Sequence, residues 1–153
     1  MTLVKPLLQA LLLADHVYTD ATTGKKIVAG IFHTIYLRHD APEPITKEDG
    51  TTDEGKVTIR VPAAGLQAGS PFCYASVTEV RGEQTFKLRF VDLDDDSVLL
   101  ECEFPVTSSN PLEIHEQVIP LPMLQITRPG SYAMELLWND EQIGSHRVNV
   151  VES

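Results

Sequence analysis

Hydrophobic and polar residues alternate near the end of the chain, as they do in a β-hairpin. Tyr132, Met134 and Leu136 fall on one face of the first strand, and Pro129-Gly130 before it is a turn signal. A three-residue loop over 140–142 matches apolar residues with apolar residues and opposite charges with each other. The pairs that it predicts are Met134 with Val148, Tyr132 with Val150, and Glu135 with Arg147. We expect this loop, because a two-residue loop places polar groups on the apolar face.

The middle of the chain carries a second hairpin pattern of the same kind. Two alternating segments, 86–91 and 100–104, are separated by the acidic turn Asp94-Asp95-Asp96. With these aspartates as the loop, both faces of the hairpin select the same register. The pairs are Phe90–Leu100, Leu88–Cys102 and Phe86–Phe104 on one face, and Arg89–Glu101 and Lys87–Glu103 on the other.

The rest of the chain has the pattern of strands between turns. A long N-terminal hairpin is expected over 7–38, with its turn at 21–24 and a β-bulge at Gly30. The run 7–14 also suits a helix by propensity, but it continues into the β-favouring His16-Val17-Tyr18 and we interpret it as a strand. Further strands are expected over 56–61 at a sheet edge and over 71–80, and the segments 112–121 and 123–127 are expected to supply one or two more.

About seven to nine strands, with 10 prolines and 9 glycines mostly at the breaks, predict an all-β fold. We expect an immunoglobulin-like antiparallel β-sandwich, with an open barrel as the alternative. At 42% hydrophobic residues, one domain spanning 1–153 is long enough to bury a core. The stretch 39–56 holds six acidic residues against two lysines and predicts an exposed acidic loop. A solvated connection is the plainer interpretation of this loop, and a binding loop or lid is the functional one.

The formal net charge of −10 changes the list of expected partners. Nucleic acid and anionic membranes both require clustered Lys and Arg, so neither is expected. No apolar stretch is long enough for a spanning helix, and the signal-like start is interrupted by Gln9 and lacks a cleavage site. Cys73 and Cys102 fit a reducing compartment and, in a simple meander, would be kept apart by the strand between them. A cytoplasmic location is therefore predicted.

The acidic central turn is the candidate metal site, with Asp92, Asp94, Asp95 and Asp96 as ligands. Carboxylate oxygens at a loop tip suit calcium, which needs six to eight oxygens, so Asp20, Asp40 or the 39–56 loop would have to supply the others. The alternative is a solvated turn, because Asp caps its own turn and tolerates left-handed backbone. A calcium-dependent ligand-binding domain is thus the second functional hypothesis.

No catalytic constellation is recognisable in the sequence. The histidines lack metal-type spacing, although His16 and His33 would be neighbours across the N-terminal hairpin. The stretch 50–57 has Walker-like spacing but ends in Val57 where Ser or Thr is required, and no GxSxG motif occurs. Trp138 is interpreted as the end of a core strand, with an exposed partner anchor as the alternative. We therefore predict no enzyme activity and no cofactor.

Three segments together resemble a known family. LLLADHVYTDATTGKKIVAGIFHTI, FKLRFVDLDDDSVL and VIPLPMLQITRPGSYAMELLWNDEQIGSHRVNVV are similar, in this order, to a family of small uncharacterised bacterial β-sandwich proteins of unknown function. The resemblance implies a bacterial, cytoplasmic β-sandwich and transfers no catalytic or ligand residue. We expect a non-enzymatic protein-binding or assembly module whose partner is another protein or a second copy of itself.

Overall fold

The computed structural model describes residues 3–38, 58–59 and 70–152. The predicted acidic loop over 39–56 lies outside the described residues, as does most of the edge strand predicted over 56–61. The described residues form ten strands and no helix, so the prediction of an all-β fold is confirmed. The strands are β1 (Leu7–Thr19), β2 (Lys26–Ile31), β3 (Thr34–Arg38), β4 (Thr58–Ile59), β5 (Phe72–Thr78), β6 (Gly82–Asp92), β7 (Val98–Ser108), β8 (His115–Pro120), β9 (Gly130–Trp138) and β10 (Glu141–Glu152).

The strands form the two sheets of a β-sandwich. Sheet A has the order β2-β1-β5-β8, and sheet B has the order β4-β3-β10-β9-β6-β7. Among the described pairs, β10 and β3 run parallel and the others are antiparallel. The sandwich is confirmed, but sheet B is mixed where a purely antiparallel arrangement was expected. The cause is that the segment predicted as one strand over 25–38 divides, with β2 in sheet A and β3 in sheet B.

Gly30 lies near the point where the chain leaves sheet A. Its φ is +75°, a conformation that favours glycine. The predicted bulge is wrong, because β1 and β2 keep one register on both sides of this residue. The glycine instead gives room to Asp15 opposite it, since a Cβ at Gly30 would come 2.8 Å from the Asp15 Cγ. Its role is therefore close approach between side chain and backbone.

The core lies between the two sheets and takes buried side chains from both. Sheet A contributes Leu13, Cys73 and Ala75, which are fully buried. The largest fully buried side chains of sheet B are Leu37, Phe86, Leu88, Phe90, Tyr132, Met134 and Leu136. Trp138 is 5% exposed and its Nε1 donates to Gln84 Oε1 at 3.0 Å. The expectation that this tryptophan ends a core strand is confirmed.

Residues 121–129 cross between the sheets without forming a strand. Of the one or two strands expected over 112–121 and 123–127, the first forms as β8 and the second does not form. Leu121, Leu124 and Ile126 are nevertheless buried, so the alternation in this segment reflects core filling and not a ladder. Prolines at 120 and 122 favour this outcome, because they supply no N–H to a neighbouring strand. Near the end of the segment, the backbone carbonyl of Arg128 accepts a hydrogen bond from the Tyr132 hydroxyl at 2.7 Å. This contact resembles the tyrosine corner of immunoglobulin-like folds.

The central hairpin has the predicted register. All five expected pairs between β6 and β7 are present, from Phe86–Phe104 to Phe90–Leu100. The connection is longer than the three aspartates, because Asp92 N donates to the Ser97 carbonyl at 2.9 Å. A register shift beyond Phe90 absorbs the difference. The pairing prediction is therefore confirmed and the loop prediction is not.

The closing hairpin departs from its predicted register by two residues. Met134 lies opposite His146, Tyr132 opposite Val148, and Glu135 opposite Ser145. The turn consists of Asn139 and Asp140, with φ of 48° and 61°, followed by a bulge between Gln142 and Gly144. Such a turn matches the twist of a hairpin, and Asn and Asp tolerate its left-handed backbone. The predicted three-residue loop is wrong, although each side chain lies on the predicted face.

Candidate functional site

The carboxylates of the central turn are held by groups of the protein itself. Asp92 is buried, and its Oδ1 accepts a hydrogen bond from the Asp94 backbone N–H at 2.9 Å. Its Oδ2 accepts from Nε and Nη2 of Arg128 at 2.9 and 2.7 Å. Arg128 Nη2 also lies 2.8 Å from Asp95 Oδ2. The sequence did not indicate Arg128, which is 36 residues from Asp92 and lies in the irregular segment.

The electrostatics of this cluster follow from these contacts. The hydrogen bond and charge of Asp92 raise the pKa of Arg128 above its ordinary value. Two hydrogen bonds from Ser97 hold the pKa of Asp95 below its ordinary value, and Arg128 adds to this effect. Arg128 and Asp95 are therefore both ionised near neutral pH. The guanidinium of Arg128 occupies the position from which a metal cation would contact the carboxylates of Asp92 and Asp95.

The four predicted calcium ligands do not converge. Asp96 has a left-handed φ of 59°, as the solvated-turn interpretation expects. Asp94 points toward the start of β9, where a Cβ at Gly130 would come 3.5 Å from its Cγ. Among the described residues, no group of three or more His, Cys, Asp or Glu side chains is placed to share a metal ion. Calcium binding stays a prediction, and the ion pairs of Arg128 argue against it.

Two small concavities lie beside the same cluster. One has a volume of about 240 Å³ and is lined by residues that include Asp95, Arg128 and Tyr132. The other has a volume of about 140 Å³ and is mostly apolar. Leu99 and Gln125 line both. Each is smaller than the pockets of about 300–1,000 Å³ that usually hold small-molecule ligands.

The histidines pair differently from the prediction. His33 stacks on His146, with ring centroids 4.8 Å apart, whereas His16 stacks on Tyr18 at 5.5 Å. His33 follows the end of β2, and β10 brings His146 to it. His146 Nε2 donates to the Phe32 carbonyl at 2.9 Å. Burial lowers the pKa of His146, so its ring is neutral near pH 7.

The cysteines lie in different sheets. Cys73 is in β5 of sheet A and Cys102 is in β7 of sheet B, and both are free thiols. The expectation that the two cysteines are kept apart is confirmed. The meander argument for it was wrong, since the strand over 82–92 does not lie between β5 and β7 in one sheet. Burial raises the pKa of Cys73 to about 12, which keeps this thiol protonated. Neither position has the exposed, electropositive surroundings of a reactive cysteine.

The outer face of sheet A is unusually apolar for a surface. Tyr18 and Ile27, paired across β1 and β2, are 51% and 48% exposed, and Ile31 is 45% exposed. Half-buried aromatic and aliphatic side chains continue this surface onto β5 and β8. We call it the apolar face and define it as Leu12, His16, Tyr18, Ile27, Ile31, Phe72, Tyr74 and Val118. Large exposed apolar patches of this kind mark interaction sites.

The apolar face carries almost no charge. The four strands of sheet A contain three Asp, Glu, Lys or Arg residues, namely Asp15, Lys26 and Glu116. Asp15 faces Gly30 and not the outer surface. Glu116 accepts a hydrogen bond from the Tyr74 hydroxyl. Burial and this neighbouring carboxylate raise the pKa of Tyr74 to about 12.

The outer face of sheet B is different, because it is crossed by ion pairs. Arg89 Nε lies 2.8 Å from Glu135 Oε1, and this pair joins β6 to β9. Lys87 lies 3.8 Å from Glu101 and 3.9 Å from Glu103, and these pairs join β6 to β7. The two outer faces of one sandwich therefore differ in chemistry, and the nearly uncharged outer face of sheet A is suited to burial against another surface.

Sequence reasoning missed the apolar face, although a signal for it exists. Leu11, Leu12, Leu13 and Ala14 are apolar at consecutive positions. A strand with one face in water alternates, whereas a strand covered on both faces is apolar throughout. The run thus indicates that both faces of β1 avoid water, while the described residues cover one of them fully.

Comparison with known families places the chain in one of them. A family model described as a family of unknown function (DUF6941) matches residues 49–151. The chain belongs to the DUF6941 family. The expected kinship with a family of unknown function is thus confirmed, and the match contains β4 to β9 and all but the last residue of β10. None of the described residues of this DUF6941 protein forms a helix able to cross a membrane.

Other comparisons add little to this assignment. Comparison with curated proteins gives no match. Two crystal structures of a glycosyl hydrolase family 2 member from Bacteroides cellulosilyticus are similar to part of this DUF6941 chain. One is 16% identical with a TM-score of 0.35, and the match covers 57% of this chain and 13% of that chain. The other is 18% identical with a TM-score of 0.36, over 56% of this chain and 12% of that chain. Likeness at this level carries no argument about function.

Proposed function

We propose that this protein is a non-enzymatic protein-binding or assembly module that binds through the apolar face of sheet A. The observation that carries the proposal is the exposure of Tyr18, Ile27 and Ile31 on a sheet face almost free of charge. A face of this composition gains free energy when another apolar surface covers it. Chemistry requires convergent polar groups, which the apolar face does not offer.

The size of the apolar face sets the expected affinity. Strands of 13, 6, 7 and 6 residues cover about 500 Å² in plan at the usual rise and spacing of β-strands. Stable complexes usually bury about 800 Å² on each partner, so a contact limited to this face falls in the range of weak and transient complexes. We therefore expect the module to bind weakly on its own.

We place the module in the cytoplasm of a bacterium, as part of the same proposal. Two free thiols, one of them fully buried, are consistent with a reducing compartment. The bacterial source is supported by the resemblance of the three sequence segments. Fractionation of the native cell, followed by detection with an antibody, tests the location directly.

The binding proposal is tested by affinity capture with three forms of the immobilised full chain. The face variant is Ile27→Lys with Ile31→Lys, which adds charge to the apolar face at two exposed positions. The matched control is Tyr36→Lys with Val151→Lys, since these residues pair on the outer side of sheet B and are 58% and 39% exposed. Both variants add two positive charges at exposed positions, on β2 of sheet A in the face variant and on β3 and β10 of sheet B in the control.

Quantitative mass spectrometry of proteins retained from the native lysate gives the outcome. The proposal expects a protein, either a second copy of the chain or another protein, that the wild type and the sheet B control retain and the face variant loses. Retention of the same proteins in equal amounts by all three forms would contradict it. Circular dichroism of each variant confirms that the comparison is between folded proteins.

A further inference from the structure

We infer that two copies of this chain associate weakly, apolar face against apolar face, so that sheet A of each copy covers sheet A of the other. The inference rests on the proposed function and identifies the surface that covers the apolar face as a second copy of the chain. Sheets pack face to face about 10 Å apart when their facing side chains are apolar. A second copy of the chain has the same apolar face. One contact with two-fold symmetry therefore covers the apolar faces of both copies.

The area of the apolar face agrees with this occupant. Sheet A of each copy covers about 500 Å² in plan, so a symmetric contact buries about 1,000 Å² in total, below the roughly 1,200–2,000 Å² of stable complexes and in the range of weak ones. This area is large enough for a weak dimer and too small for a permanent one. We therefore expect a monomer–dimer equilibrium at micromolar concentrations.

Charge also favours this face over the others for self-association. Each copy carries a formal net charge of −10, so two copies repel each other wherever acidic surfaces meet. The apolar face avoids this repulsion, because Glu116 is its one carboxylate among the described residues and lies toward the β8 edge, hydrogen-bonded by Tyr74. On the outer side of sheet B, by contrast, Glu101 and Glu103 lie on the edge strand β7.

The shape of the apolar face permits close packing. On the outer side of β1 the small Ala14 lies between Ile31 on β2 and Phe72 on β5, and these two larger side chains cover it. Tyr18 and Ile27 project at one end. Side chains that project from two facing sheets can interdigitate. The exposed Tyr18, Ile27 and Ile31 of one copy can therefore pack against the same face of the other copy.

Sedimentation equilibrium of the full chain, from micromolar concentration to about 500 µM, tests the inference. We expect reversible dimerisation that weakens with dilution. The Ile27→Lys, Ile31→Lys variant should raise the dissociation constant about tenfold or more, because it places four positive charges in the contact. The Tyr36→Lys, Val151→Lys control should change it less than about twofold. Isotope-filtered NOEs in a mixed-label sample should connect apolar-face side chains of the two copies.

Three outcomes would overturn the inference. A wild type that stays monomeric at the highest concentration excludes self-association, while affinity capture of a different protein would leave the proposed function standing. A dimer that persists in the face variant excludes the apolar face as the contact. A dimer weakened equally by both variants reflects added charge alone. Loss of differential capture together with a monomeric wild type would overturn both proposals.

Discussion

The guanidinium of Arg128 donates two hydrogen bonds to a single oxygen of Asp92, from Nε at 2.9 Å and from Nη2 at 2.7 Å. Asp92 ends β6, whereas Arg128 belongs to the irregular segment that leads into β9. The contact therefore fixes a segment that has no ladder of its own. The acidic turn that looked like a metal site is better explained as an anchor for this segment.

Asp92→Asn tests the anchor. The substitution keeps size and one acceptor oxygen but removes the charge that Arg128 faces, so we expect the free energy of unfolding to fall by about 1–3 kcal/mol. Urea denaturation followed by the fluorescence of the single tryptophan, Trp138, measures it. Asp96→Asn is the control, because Asp96 is exposed and its left-handed φ of 59° suits Asn. Equal losses in both variants would show that the Arg128 contact contributes nothing.

Calcium should leave the melting temperature unchanged. A ligand that binds only the folded state raises stability, so binding would appear as a higher melting temperature in millimolar calcium. We expect no rise, because Arg128 already lies against carboxylate oxygens of both Asp92 and Asp95. Magnesium at equal ionic strength is the control for screening by salt. A calcium-specific rise that Asp95→Asn abolishes would establish the metal site instead.

Gly30→Ala should destabilise the fold more than Gly24→Ala does. Both glycines have left-handed backbone, with φ of +75° and +72°, so the conformational cost of replacing either one by alanine is similar. A Cβ at Gly30 would also come 2.8 Å from Asp15 Cγ, whereas nothing lies within 4 Å of one at Gly24. We expect a loss of roughly 1–3 kcal/mol at Gly30 and a smaller loss at Gly24. Asp15→Ser in the Gly30→Ala background should recover part of the difference in thermal melts.

Asp140→Gly should stabilise the closing hairpin. Asp140 is the second turn residue, with a φ of 61°, and glycine is favoured at this position of a two-residue turn. We expect the free energy of unfolding to rise by up to about 1 kcal/mol. Asp140→Val is the opposing variant, since a β-branched residue is strained there. If instead a three-residue loop over 140–142 formed in solution, Gln142 would be as sensitive to these substitutions as Asp140.

The register of the central hairpin could be predicted from the sequence, whereas the predicted register of the closing hairpin was wrong, and the difference has a physical reason. In the central hairpin both faces constrain the pairing, and Leu88–Cys102 agrees with Lys87–Glu103. In the closing hairpin the register depended on pairing Glu135 with Arg147. Glu135 instead bonds Arg89 of β6, 46 residues away. The turn residues then decide the register. The alternation in the two strands of a hairpin cannot show that a residue pairs with a third strand.

The candidate site was less predictable than the fold. Arg128 lies in a segment without regular structure, so no periodicity connects it to the acidic turn. The apolar face depends on which strands become neighbours in sheet A, and the chain reaches β5 only after leaving that sheet at β3. Tyr18 and Phe72 both contact His16, although they are 54 positions apart in the sequence. Only long-range topology brings such residues onto one surface.

His146 should make stability fall as the pH is lowered. Burial lowers the pKa of His146 in the folded state, and the charge of His33 lowers it further, against a hydrogen bond to the Phe32 carbonyl that raises it. The unfolded chain titrates near the ordinary value of about 6.5. As the pH falls through that value, the unfolded chain binds a proton that the folded protein does not, so the free energy of unfolding decreases. The contribution of His146 to stability is fully present above the pKa of the unfolded chain and is lost as the pH falls toward the lowered pKa of the folded state.

Chemical denaturation at several values between about pH 7.5 and about pH 5.5 measures this dependence, above the range in which ordinary carboxylates titrate. His146→Gln should flatten the slope, because glutamine keeps a donor for the Phe32 carbonyl and does not titrate. His33→Gln should flatten it less, since it removes only the neighbouring charge from a ring stacked at 4.8 Å. An unchanged slope in His146→Gln would mean that His146 binds its proton equally in both states, and the acid sensitivity would have to come from another group.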